Sequence, residues 1–149
     1  MTVRTWFTIS AVAALALVAT FALRAFRPIP PPELLARVDD TRIEGVYDGS
    51  CWPQSEGDLR CEDRDADVSG ASGPRVPAEG MMRFIAAYPV QPAGGTLEIV
   101  DAESGATIVR DGYAESVPYE LEPGRYAVMV EARYPDDAYV RYVFAFEAA

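Results

Sequence analysis

The chain has 149 residues, a formal net charge of −10, no histidine, and thirteen basic residues that are all arginine. Without histidine there is no Ser-His-Asp or Cys-His nucleophile system, no imidazole acid–base chemistry and no histidine-ligated zinc. The acidic surface as a whole repels nucleic acid and anionic headgroups, and a chain that is 50% hydrophobic at this length fits one modest folded domain.

The first element is apolar. Trp6 to Leu23 read WFTISAVAALALVATFAL, eighteen residues without a charge. Wound as a helix they span roughly 27 Å, close to the thickness of a hydrocarbon core. The apolar core of a cleaved signal peptide is shorter, about 7–15 residues. The run therefore predicts one N-terminal transmembrane helix within residues 1–27, an uncleaved anchor that contacts the membrane through residues 6–23. Cleavage after Thr20-Phe21-Ala22 is the alternative. No cysteine follows at the spacing that lipidation needs.

Arg4, Arg24 and Arg27 are the only charged side chains in residues 1–27, which leaves ten arginines against 23 acids and a net charge of −13 on residues 28–149. The basic flanks of the apolar run are nearly balanced, so they do not orient it. Two cysteines do: Cys51 and Cys61 with no third, after an export segment, predict a disulfide and an oxidising compartment. The expected location is the cytoplasmic membrane, single-pass, with the C-terminal domain outside the cytoplasm.

Residues 28–42 form the expected linker. Arg27 to Glu33 read RPIPPPE, a stiff polyproline spacer that rises about 3.1 Å per residue. Leu34 to Asp40 are expected to make a short helical turn or stay irregular. Pro53, Gly57 and polar residues then let the chain turn back between the cysteines.

Residues 43–149 carry the period of strands. Ile43–Tyr47 is the expected first strand, followed by Met81–Tyr88, Thr96–Asp101, Ala106–Arg110, Val117–Leu121, Arg125–Tyr134 and Tyr139–Glu147. Glu103-Ser104-Gly105 and Pro135-Asp136-Asp137 are turn signals. Tyr126, Val128, Val130, Ala132 and Tyr134 share one face, as do Val140, Tyr142, Phe144 and Phe146. Some seven short strands without a second helix predict an Ig-like antiparallel β-sandwich. Leu121-Glu122-Pro123-Gly124-Arg125-Tyr126 has the form of a tyrosine corner, which assigns Tyr126 to structure.

Gly49-Ser50-Cys51-Trp52, then Cys61-Glu62-Asp63, then the Leu-x-Pro-Gly-x-Tyr strand and a closing Tyr-x-Phe-x-Phe-Glu strand form an ordered set. This set resembles uncharacterised bacterial extracytoplasmic β-sandwich proteins, often lipoproteins, with a Gly-Ser-Tyr-Cys-Trp … Cys-x-Asp signature. The resemblance spans roughly residues 43–147. It implies an exported sandwich with a cystine loop and carries no activity with it. The chain departs from that pattern in placing Ser50, not an aromatic residue, before Cys51, and in lacking a lipidation cysteine.

The sharpest chemical candidate is Asp63-Arg64-Asp65-Ala66-Asp67. Acids at alternate positions resemble the opening of a calcium loop, where oxygens wrap one ion. Val68 stands where such a loop needs glycine and Pro74 where it needs glutamate, so a solvated acidic loop is the plainer reading. Trp52 can stack on a ligand or cover the disulfide. Carboxylate pairs for a hydrolase are available, but the sequence singles out none. The sequence therefore predicts a non-catalytic binding or scaffold module that meets an envelope partner and needs no cofactor. A calcium-stabilised structural domain and a small carboxylate hydrolase are the alternatives.

Overall fold

The structure, a computed structural model, describes residues 30–55, 58–69 and 72–149. The expected membrane segment and its cleavage site lie outside them. Among the described residues there are eleven strands and no helix. They are β1 (Leu34–Val38), β2 (Thr41–Ile43), β3 (Gly45–Ser55), β4 (Asp58–Asp63), β5 (Arg75–Val76), β6 (Glu79–Ala86), β7 (Gly94–Asp101), β8 (Thr107–Gly112), β9 (Ser116–Glu120), β10 (Gly124–Arg133) and β11 (Tyr139–Ala148).

Two sheets face each other. The smaller has the order β2-β1-β6-β9; the larger runs β4-β3-β11-β10-β7-β8, with β5 beside the end of β11. All pairings are antiparallel except the short β5–β11 contact, which is parallel. Two antiparallel layers around one core make a β-sandwich.

Side-chain alternation explains the layers. Val128, Val130 and Ala132 on β10 and Val140, Phe144 and Phe146 on β11 are fully buried, as are Leu34, Ala36 and Val38 on β1. Aromatic rings bridge the sheets: Phe84 of β6 sits 5.8 Å from Phe144, and Tyr119 of β9 sits 6.1 Å from Phe146. The Tyr126 hydroxyl donates to the Glu122 carbonyl at 2.9 Å, four residues upstream, tying the β9–β10 crossover to the start of β10.

One expectation is overturned at the start of the domain. Leu34–Val38 is a strand, not a helical turn or an irregular end of the linker. Leu34, Ala36 and Val38 fill the core, and Asp39, with φ of 51°, turns the chain into β2. Aspartate tolerates this left-handed backbone better than most residues. The folded domain thus takes in residues that the linker was expected to hold.

The described residues after β4 also have a structural role: Arg64 to Ser69 lie on the outer face of the larger sheet as a strap. Ala66 and Val68 pack against the small apolar cluster of Val100, Ala127 and Val143, as Met129 does, while Asp65 and Asp67 stay exposed. Asp48 holds one end: its carboxylate accepts from the Ala66 amide at 2.7 Å. Just before β5 the Pro74 carbonyl accepts from the Glu147 amide at 3.0 Å. Gly73 runs so close to the Ala145 carbonyl that a Cβ there would overlap it.

Candidate functional site

The β3–β4 hairpin carries the residues the sequence singled out. A bulge in β3 sets their directions. Gly49 lies opposite Arg141 and Tyr47 opposite Tyr142, leaving Asp48 as the extra residue. Gly49 has a φ of 121°, a backbone that a side chain would strain. The bulge turns both Tyr47 and Ser50 toward the inner face, where their hydroxyls meet at 2.7 Å. Beyond it Trp52 points inward and Cys51 outward.

Cys51 and Cys61 lie directly opposite each other and form the disulfide. What the sequence suggested as a loop is a ladder pinned across its middle. Trp52 does not cover this bond. It is 4% exposed on the opposite face of the hairpin, with ring centroids 5.4 Å from Tyr88 and 5.1 Å from Tyr134, both edge-on. A side chain this buried is a core residue first. The same aromatic group includes Tyr113. Burial pushes the Tyr113 and Tyr134 hydroxyls up to about 12, with neighbouring charge and phenols adding to it. They stay neutral and are poorly suited to proton transfer near pH 7.

The smaller sheet does not extend over the inner face of β4. There a cleft of about 510 Å³ opens, lined by Pro30, Pro31, Tyr47, Ser50, Trp52, Gln54, Arg60 and Glu62. Arg60 lies opposite Trp52 and Glu62 opposite Ser50. Arg64 grips Glu62 through two nitrogens at 2.9 and 3.0 Å and sits 5.3 Å above the Tyr47 ring. Glu62 is thereby neutralised. Arg60 has no carboxylate partner among the described residues, although six of the seven arginines on the larger sheet and strap do. A hydroxyl, an amide and an unpaired guanidinium therefore converge beside an aromatic edge.

The alternate acids are not gathered round one point. Asp63 bonds Arg141 at 2.5 Å, Asp65 faces solvent, and Asp67 accepts from the Ser69 hydroxyl and amide at 2.6 and 2.8 Å. Among the described residues no three acids or cysteines are placed to hold a metal ion. The alternation that resembled a calcium loop is that of an extended strap, with apolar teeth on the sheet and acids in water. The carboxyls of Asp67 and Asp101 are lowered by hydrogen bonds from Ser69 and Ser104. A general acid needs a shift in the other direction.

Sequence reasoning missed Tyr47, Gln54 and Arg60. The available signal was the alternation of Tyr47-x-x-Ser50-x-Trp52-x-Gln54, readable only once Asp48 is assigned to a bulge. Comparison of the chain with models of protein families, with curated proteins and with solved structures finds no match.

Proposed function

We propose that this protein is a non-catalytic binding module, held outside the cytoplasmic membrane by residues 6–23, that takes a segment of an envelope protein in the β3–β4 cleft. The carrying observation is Arg60. In a chain of net charge −10 it is the one arginine of the larger sheet and strap without an acid partner among the described residues, and it stands in a cleft of about 510 Å³. A guanidinium left unpaired among 23 acids is available to a ligand carboxylate or carbonyl.

The surrounding groups suit a polar chain. Tyr47 and Gln54 offer donors and acceptors along β3, and the edge of Trp52 offers an apolar floor. The disulfide holds the hairpin in shape before the ligand arrives, which lowers the ordering cost of binding. It also supports an oxidising location. The domain on this reading is an Ig-like sandwich, supported by the hydroxyl bond from Tyr126 to Glu122.

Photo-crosslinking in cells tests the proposal. A photoreactive residue at Gln54 is expected to give one discrete adduct that Arg60→Ala removes, while the same residue at Ile108 on β8 gives none. Equal adducts from both positions, or none from Gln54, would discard the cleft as the site. A periplasm-dependent reporter after Ala149 checks location separately, and a silent reporter would move the domain to the cytoplasm.

A further inference from the structure

β4 ends the larger sheet, and among the described residues no strand lies along its second side. The pairing with β3 fixes which backbone groups that side presents. The Cα atoms of Cys51 and Cys61 are 4.0 Å apart, nearer the roughly 4.5 Å of a pair without ladder bonds than the roughly 5.5 Å of a bonded one. The Arg64 amide donates to the Asp48 carbonyl at 3.3 Å, back toward β3. Backbone groups alternate in direction along an antiparallel strand. Leu59, Cys61 and Asp63 therefore turn their N–H and C=O groups to the free edge. The described strap does not cross that edge, since it runs from β4 toward Ala127 and Val143.

Charged side chains on an edge strand ordinarily deter pairing. On β4 they are ordered so that one register joins each to its opposite. Place Cys61 against the Cys61 of a second copy, antiparallel about a two-fold axis. Leu59 then lies opposite the partner's Asp63, and the outward groups exchange about six backbone hydrogen bonds. At the alternate positions Arg60 lies opposite the partner's Glu62, and Asp58 opposite the partner's Arg64. These positions share the inner face, where pairs without ladder bonds bring side chains closest. A slip of one residue would set outward groups against inward ones. A slip of two would set Arg60 against the partner's Arg60 in one direction, or Glu62 against the partner's Glu62 in the other. Glu62 can serve a second arginine, because Arg64 bonds only its Oε1. On the outer face Asp63 is already held by Arg141, so the strand brings no excess charge to the contact. We infer that two copies of this chain join β4 to β4, making one continuous sheet. The carboxylate that Arg60 takes is then the partner's Glu62. The inference rests on the proposed reading in treating Arg60 as open to a carboxylate, and deepens it by naming the partner.

The test mixes two preparations of the full chain in detergent micelles, one with a photoreactive residue at Leu59 and one labelled with heavy isotopes. Irradiation is expected to join position 59 of the light chain to β4 of the heavy chain, at or beside Asp63, as mapped by mass spectrometry. The same photoreactive residue at Ile108 on β8 gives no light–heavy adduct. Arg60→Glu in both chains should lower the Leu59 adduct roughly tenfold, because two cross-strand pairs become repulsive. Glu62→Arg in both chains should do the same. Mixing an Arg60→Glu chain with a Glu62→Arg chain sets opposite charges against each other again, and the adduct is expected to return. A misfolded variant would not be rescued in this way. Absence of a light–heavy adduct overturns the inference, as does an adduct indifferent to charge reversal or not restored in the mixture. The two readings fail separately. A Gln54 adduct with another protein in cells, with no light–heavy adduct from Leu59, overturns self-pairing and leaves the cleft as a site. A charge-dependent Leu59 adduct with none from Gln54 supports self-pairing and discards the cleft.

Discussion

The β10–β11 pair and the β3–β4 hairpin are antiparallel ladders of the same sheet, and they are stabilised differently. β10 and β11 lie in the sheet's interior with strands on both sides, and their inner residues are fully buried. Even the outer face is partly roofed by the strap against Ala127 and Val143. β4 is an edge strand whose six residues are all exposed. Ladder hydrogen bonds are common to both regions, and their net contribution is modest because water competes for them. Burial separates the two: β10 and β11 are held by apolar area, whereas β4 is held to β3 by a covalent bond. The hairpin can therefore carry a polar cleft on one face without the core behind it loosening.

Removing a large, fully buried core side chain should show the contrast most clearly. Phe144→Ala is expected to cost about 3–5 kcal/mol in urea unfolding, because Phe144 is fully buried between Phe84 and Tyr142. Leu59→Ala on β4, where Leu59 is 39% exposed, should change stability by less than about 0.5 kcal/mol. Similar costs for the two would erase the distinction between the regions.

The disulfide comes next. Replacing Cys51 and Cys61 by serine should cost about 2.7 kcal/mol on the chain-entropy model, for a sequence separation of 10 residues. The loss should also be uneven in space. Amide exchange in β4 is expected to accelerate more than the global change requires, while the β10 amides follow global unfolding. If β4 and β10 respond alike, the hairpin is as well supported by packing as the centre of the sheet. The next smaller effect lies at the β9–β10 crossover. Tyr126→Phe keeps the ring and removes the hydroxyl that bonds Glu122, so denaturation midpoints should report a loss of about 1 kcal/mol.

The same contrast decides what could be read in the sequence. β10 and β11 were legible to within a residue because one buried face imposes a period of two. β4 was not, since a strand exposed on both faces has no such period: Asp58-Leu59-Arg60-Cys61-Glu62-Asp63 looks like a loop. Leu34–Val38 was hidden differently. Its alternation is sound, but it follows a proline run and ends in two aspartates, which read together as a linker. Trp52 was assigned from its neighbour Cys51, and the bulge at Asp48 fixes the face on which each one lies. The adjacency of Arg42, Arg37 and Arg83 on β2, β1 and β6 is invisible at any single position, because it arises only through two strand registers.

The smallest expected effect concerns the strap, which is intermediate between the two regions. Its acids resembled a metal loop, yet its attachment is apolar and through Asp48. Asp67 serves only Ser69, which donates its hydroxyl and amide and so lowers the Asp67 pKa from its usual value of 3.8. A folded-state pKa below the unfolded one means that the contribution is present above the unfolded value and is lost as pH falls through the folded value. The Ser69 amide shift in NMR should therefore titrate at a pH below 3.8. Asp67 is fully exposed, so Asp67→Asn should leave the urea midpoint within error of the parent, and calcium against chelator should leave the melting temperature where it was. A calcium-dependent rise in melting temperature that Asp67→Asn abolishes would show the strap closing around an ion, and its acids would then do more than solvate an apolar clasp.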